Sequence, residues 1–244
     1  MLSILFSVSL IASNIPNGFK EVKKEGGITE YQLEKNGLTV LLLEDHSAPV
    51  LTFMVTYRVG SRNEVTGTTG ATHILEHLMF KGTDKYNKAN GGHIDAQLGN
   101  IGARLNATTW MDRTNYYESI PSDFLELAID IESDRMRNLW LHKEDKESEM
   151  TVVRNEFEGS ENSPFSALNT EVWATAFQAH PYHHSTIGWR SDIENVPIEK
   201  LRAFYDTFYW PNNATVTIIG DFNSTNALEL VNKYYGAIPT SPNP

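Results

Sequence analysis

Three runs of strand character, Thr29–Leu33, Leu38–Glu44 and Val50–Val59, come before any helical periodicity, and this order most limits the fold. The first two are split by Asn36-Gly37 and the last two by Ser47-Ala48-Pro49. Asn-Gly between such runs is a strong hairpin signal. Phe19 to Ile28 is polar and charged and reads as a linker or frayed lead-in. Ala103–Ile120 carries a long strand or a hairpin bent at Trp110-Met111-Asp112-Arg113, and Ala214–Ile219 a further strand closed by Gly220-Asp221. Helices are predicted over Thr72–Lys81, Gly92–Gly99, Pro121 to Leu139, Lys143–Glu158, Ser166–Phe177, Ile198–Phe208 and Ala227–Tyr235. In the Pro121–Leu139 segment, Leu125, Ile129, Glu132, Met136 and Leu139 recur at helical spacing, which makes one side buried. Strands gathered first and helices after, with few strand–helix–strand alternations, predict an α+β fold: a largely antiparallel sheet with helices packed on one face.

Composition narrows the function classes. The 244 residues contain 20 Lys+Arg against 31 Asp+Glu, a net charge of −11. Such a balance argues against a general nucleic-acid binder, which needs clustered cations to neutralise phosphates. There is no cysteine, so disulfides, thiolate zinc sites and thiol catalysis are excluded, and any metal must use His, Asp or Glu. Met1–Ser13 is apolar but too short for a bilayer span. It resembles the apolar middle and small-residue end of an export signal that lacks its basic start, and an apolar strand or anchor is the alternative. The expected organisation is a clipped signal segment over residues 1–16, one domain over 17–238 and a linker-like tail over 239–244. The expected location is periplasmic or secreted, with no stable membrane span.

The most specific stretch is His73-Ile74-Leu75-Glu76-His77. On a helix, residues four apart share a face. Both imidazoles can therefore reach one tetrahedral Zn²⁺ at about 2.0–2.1 Å. Glu76 lies on the same side, where a carboxylate could take a proton from water activated by the ion. The order H-x-x-E-H is the inverse of H-E-x-x-H. The same letters also suit a solvated helix face. A catalytic zinc usually has a third protein ligand. Glu149 and Glu156, two helical turns apart on the Lys143–Glu158 segment, share a face beside the apolar stripe of Met150, Val153 and Phe157. Surface charge is the other possibility for both glutamates. His180-Pro181-Tyr182-His183-His184 is a second histidine group, but its proline prevents a regular helix there, so its histidines are not expected to share a helix face as ligands.

From Thr29 to Pro239 the chain resembles the pitrilysin/insulinase family of inverted-zinc metallopeptidases. His73-Ile74-Leu75-Glu76-His77 matches the family's H-x-x-E-H, and Val152-Val153-Arg154-Asn155-Glu156 matches the segment carrying the third ligand. The resemblance implies His73, His77 and Glu156 as zinc ligands, Glu76 as general base, and Glu149 as a support to the metal shell or to catalysis. Arg104–Thr109 is similar to the family's substrate-edge strand, which implies Asn106 and Ala107 as binders of an extended peptide. Family members carry two homologous halves, in one chain or as paired subunits, and this sequence resembles the zinc-carrying half alone. The implied function is a zinc metalloendopeptidase acting on peptides or unfolded polypeptide, with a second half or partner subunit expected. A zinc-binding half that is idle without that partner, a non-catalytic chamber-forming subunit, and a metal-dependent hydrolase of another substrate remain alternatives.

Overall fold

The computed structural model describes residues 15–242. The signal-like run and the last two residues of the proline-rich tail lie outside them. Seven strands form one open sheet in the order β1-β2-β3-β7-β4-β6-β5: β1 (Phe19–Glu25), β2 (Ile28–Leu33), β3 (Thr39–Glu44), β4 (Val50–Tyr57), β5 (Arg104–Thr109), β6 (Thr114–Pro121) and β7 (Ala214–Gly220). All neighbours pair antiparallel except β3 and β7. The helices are α1 (Ala71–Leu78), α2 (Ile94–Asn100), α3 (Leu125–Asn138), α4 (Lys143–Glu161), α5 (Pro164–Ala176), α6 (Arg190–Asn195), α7 (Ile198–Phe208) and α8 (Ser224–Tyr235). This is the expected α+β architecture.

Burial alternates along the central strands. Leu51, Phe53, Val55 and Tyr57 of β4 are buried, as are Val216 and Ile218 of β7 and Tyr116 and Ile120 of β6. A period of two with one buried set means that one sheet face carries the helices. Against that face α3 buries Leu125, Ile129, Glu132 and Met136, the stripe read from the sequence. Arg135 of the same helix is fully buried, binding Glu132 (Nε–Oε2 2.9 Å) and Glu118 of β6 (3.4 Å) and lying over the Tyr116 ring. Burial, with Glu132 alongside, pushes Glu118 well above the carboxylate range. The buried cation thus sits between two buried acids, which avoids an unpaired buried charge.

Two expectations are corrected. Phe19–Glu25 is a strand rather than a linker, although only Phe19 is buried in it. Charged residues on an outer strand keep the exposed backbone edge from pairing with other chains. The short helix α6 was not anticipated, and its Asp192 matters below. No helix among the described residues is long and apolar enough to cross a membrane.

Candidate metal centre

Helix α1 buries Ile74, Leu75 and Leu78 and leaves His73, Glu76 and His77 half-buried on its other side. Its start is fixed from a distance. Gly70, the N-cap, has φ +86° and offers no capping side chain. The first-turn N–H groups that a helix leaves unpaired go instead to Glu64. Its carboxylate accepts from Gly70 N (2.8 Å) and Thr72 N (2.8 Å). Burial pushes Glu64 up to about 7, against the lowering pull of these bonds. One turn earlier, Asp192 of α6 accepts from Gly67 N (2.9 Å), Thr69 N (3.2 Å) and Thr69 Oγ1 (2.8 Å). Two buried carboxylates therefore hold the loop that launches the histidine helix.

Helix α4 anchors itself through buried Met150 and Val153. Glu149 and Glu156 then look across at α1. Glu156 Oε2 lies 3.3 Å from His73 Nε2 and 3.5 Å from His77 Nε2. The two imidazoles meet edge-on with centroids 4.8 Å apart. Two ligand atoms on a tetrahedral zinc, each about 2.0–2.1 Å from it, stand about 3.3–3.4 Å apart. The observed separations match that spacing. Burial, reinforced by His77, pushes His73 down to about 4, so its imidazole is neutral. In neutral form an imidazole nitrogen can offer its lone pair to a cation held between it and the carboxylate. Two imidazole nitrogens and a carboxylate oxygen form a donor set suited to Zn²⁺, so the residues fit the ion. Among the described residues, these three are the group whose ligand atoms converge, all within 4.8 Å of one another.

Glu149 sits behind the centre. It bonds His77 Nδ1 (3.1 Å) and pairs with Lys81. Burial alone would raise its pKa, but the bonds from Lys81 and His77 outweigh burial and hold it below the ordinary value. A carboxylate on Nδ1 fixes the tautomer that leaves Nε2 free to ligate. Glu76 points into the same cleft. Burial raises its pKa, against the lowering effect of a hydrogen bond from Thr109 Oγ1 to its Oε2.

The cleft holds about 390 Å³ and is lined by His73, Glu76, His77, Asn106, Glu149 and Glu156, with Lys81 and Lys88 on its wall. Strand β5 is the outermost strand on this side of the sheet. The Asn106 side chain lines the cleft and accepts from Ala107 N (2.8 Å), while Ala107 itself is buried and does not line it. The second histidine group lies apart from this cleft. His184 is buried beside Glu64 (Nδ1–Oε2 3.8 Å), and Tyr182 binds Asp112 (2.6 Å). Sequence reading missed Glu64, Asp192, Lys81 and Thr109. Only Thr109 left a usable signal, since strand parity puts it on the same inward side as Ala107.

The family model described as Insulinase (Peptidase family M16) matches residues 39–189, and that described as Peptidase M16 inactive domain matches residues 195–244. The chain is 34% identical over 206 residues to "Zinc protease PqqE" of Helicobacter pylori, covering 84% of this chain and 46% of that protein. It is 30% identical over 219 residues to "Mitochondrial-processing peptidase subunit beta" of Lentinula edodes, covering 90% of this chain and 46% of that protein. The crystal structure of a protease from Helicobacter pylori superposes with TM-score 0.80 at 32% identity, covering 91% of this chain and 51% of that one. The periplasmic protease PqqL from Escherichia coli shares the fold, with TM-score 0.80 at 22% identity over 90% of this chain and 25% of that one. The fold and the inverted histidine motif define the class, and the chain belongs to the insulinase family, peptidase family M16. It spans about half the length of the curated relatives it matches.

Proposed function

We propose that this chain is the zinc-carrying half of a metalloendopeptidase that hydrolyses peptides or unfolded polypeptide segments. The observation that carries the reading is the convergence of His73, His77 and Glu156, with the Glu156 carboxylate at tetrahedral spacing from both imidazoles and Glu76 in the same cleft. Zinc, when bound, supplies Lewis-acid polarisation of a carbonyl and activation of water near neutral pH. In this reading His73, His77 and Glu156 hold the ion, and Glu149 orients His77 from behind. Glu76 accepts a proton from the attacking water and returns it to the leaving amine. The substrate lies extended along β5, whose free edge offers backbone N–H and C=O groups to an added strand. Asn106, now covering the Ala107 N–H, swings to the incoming peptide.

A second homologous half or partner subunit completes the cleft. Two observations support this. The chain covers 46% of the proteins named as a zinc protease and a processing-peptidase subunit. The Glu156 side chain is also 45% exposed, an open wall where a peptidase needs water excluded and substrate clamped. For location we propose export, resting on the signal-like sequence of Met1–Ser13.

The test compares wild type, Glu76→Gln and Glu156→Ala. Zinc per mole and cleavage of a quenched peptide are measured, with the chain alone and with its complementary half supplied. Glu76→Gln should keep zinc and lose cleavage, while Glu156→Ala should lose zinc affinity. Equal cleavage by all three proteins would end the peptidase reading.

A further inference from the structure

We propose that Thr109 is a positioning residue for Glu76, so that the edge strand a peptide would join also fixes the proton acceptor. This rests on the reading of Glu76 as general base. The contact is the hydrogen bond that Thr109 Oγ1 donates to Glu76 Oε2. It is the one side-chain hydrogen bond that Glu76 makes among the described residues, and Oε1 of this cleft-lining residue has no side-chain partner there.

A glutamate on a helix face has three rotatable side-chain bonds, and ordering it costs rotamer freedom. One charge-assisted bond from a rigid donor offsets that cost and selects which oxygen faces the substrate. Thr109 is such a donor. A β-branched side chain in a strand is stiff about its first torsion. Its backbone ends β5 opposite Thr114 of β6. The turn beyond closes through Trp110 N to Arg113 O (2.8 Å), and Thr114 Oγ1 is tied to Val59 O (2.9 Å). The neighbouring Thr108 cannot serve, because it points to the other face and donates to Asn115 Oδ1 (2.5 Å). A strand end thus reaches under the histidine helix and holds one carboxylate oxygen. A peptide pairing along β5 stiffens the same strand, which couples binding to the orientation of Glu76.

The test uses Thr109→Val and Thr109→Ala, which lack the hydroxyl, Thr109→Ser, which keeps it, and Glu76→Gln. The first readout needs neither metal nor turnover: the carbon-13 shift of the Glu76 side-chain carboxylate in the metal-free chain, assigned through Glu76→Gln. It should move in the Val and Ala variants and hold its wild-type position in the Ser variant. The second readout is peptide cleavage with the complementary half supplied. For Val and Ala, kcat should fall about 10–100-fold, with KM within about threefold and zinc affinity unchanged, and Ser should restore kcat. Wild-type shift and kcat in Thr109→Val overturn the proposal, as does a Ser variant that behaves like Val. Should Thr109→Val not fold, Thr109→Ala carries the same comparison. An inactive Glu76→Gln beside a fully active Thr109→Val refutes this inference alone, whereas a fully active Glu76→Gln refutes the base reading beneath it.

Discussion

Replacing Glu64 by Gln removes one buried carboxyl from beneath the start of α1, and the consequence can be worked through in pH. Burial pushes the folded-state pKa up to about 7, and the ordinary value is 4.5. The nearby groups are the Gly70 and Thr72 N–H donors, the Asp192 charge and His184 at 3.8 Å. Because the folded value lies above the unfolded one, the native state holds the proton more tightly. Its contribution to stability is fully present below about 4.5 and is lost as pH rises through about 7. A gap of about 2.5 pH units at 1.36 kcal/mol each amounts to about 3 kcal/mol. The assay is urea unfolding of the metal-free chain from pH 4.5 to 8.5, wild type against Glu64→Gln. The wild-type stability minus that of the variant should fall by about 3 kcal/mol across this span and level off above it. His184, whose pKa burial lowers, titrates in both proteins and largely drops out of the difference. A difference that stays flat or rises with pH would refute the reasoning. It would mean that the two backbone N–H bonds outweigh burial and keep Glu64 ionised throughout.

The other expectations rest on separate contacts. Arg135→Met leaves Glu118 and Glu132 buried without their cation, and should cost about 3–5 kcal/mol in urea unfolding at pH 7. Gly70→Ala places a Cβ 2.4 Å from Ile187 O at a φ of +86°. It should destabilise the fold by at least about 1–2 kcal/mol and weaken zinc binding by moving the helix start, both read by calorimetry. Glu149→Gln and Lys81→Met loosen the support behind His77. Each should weaken zinc affinity about 10–100-fold in competition with a chelating dye.

What could be read before folding was what local periodicity carries. The stripe on α3 and the shared face of Glu149 and Glu156 follow from spacings within one element, while the Ala103–Ile120 run left one long strand and a hairpin both open, and the structure makes it the hairpin of β5 and β6. The same spacing could not choose between the two glutamates. That choice depends on how α4 crosses α1, and the crossing puts Glu156 against both imidazoles and Glu149 behind one of them. Strand β1 was missed because Phe19 is its lone buried residue, so no alternation marks it. The insertion of β7 between β3 and β4 joins residues about 175 positions apart, as in Thr39 with Thr215, and no local pattern encodes such a pairing. Glu64 and Asp192 carry no signal in the sequence because their partners, mostly backbone N–H groups, converge only in the folded loop.

The central claim is that one ion joins two helices through three side chains, and an anomalous-difference map at the zinc edge tests it most directly. For crystals of the chain grown with zinc, the account predicts a single strong peak about 2.0–2.2 Å from His73 Nε2, His77 Nε2 and a Glu156 carboxylate oxygen. A peak that leaves Glu156 out, or zinc held elsewhere with this cleft empty, would contradict it.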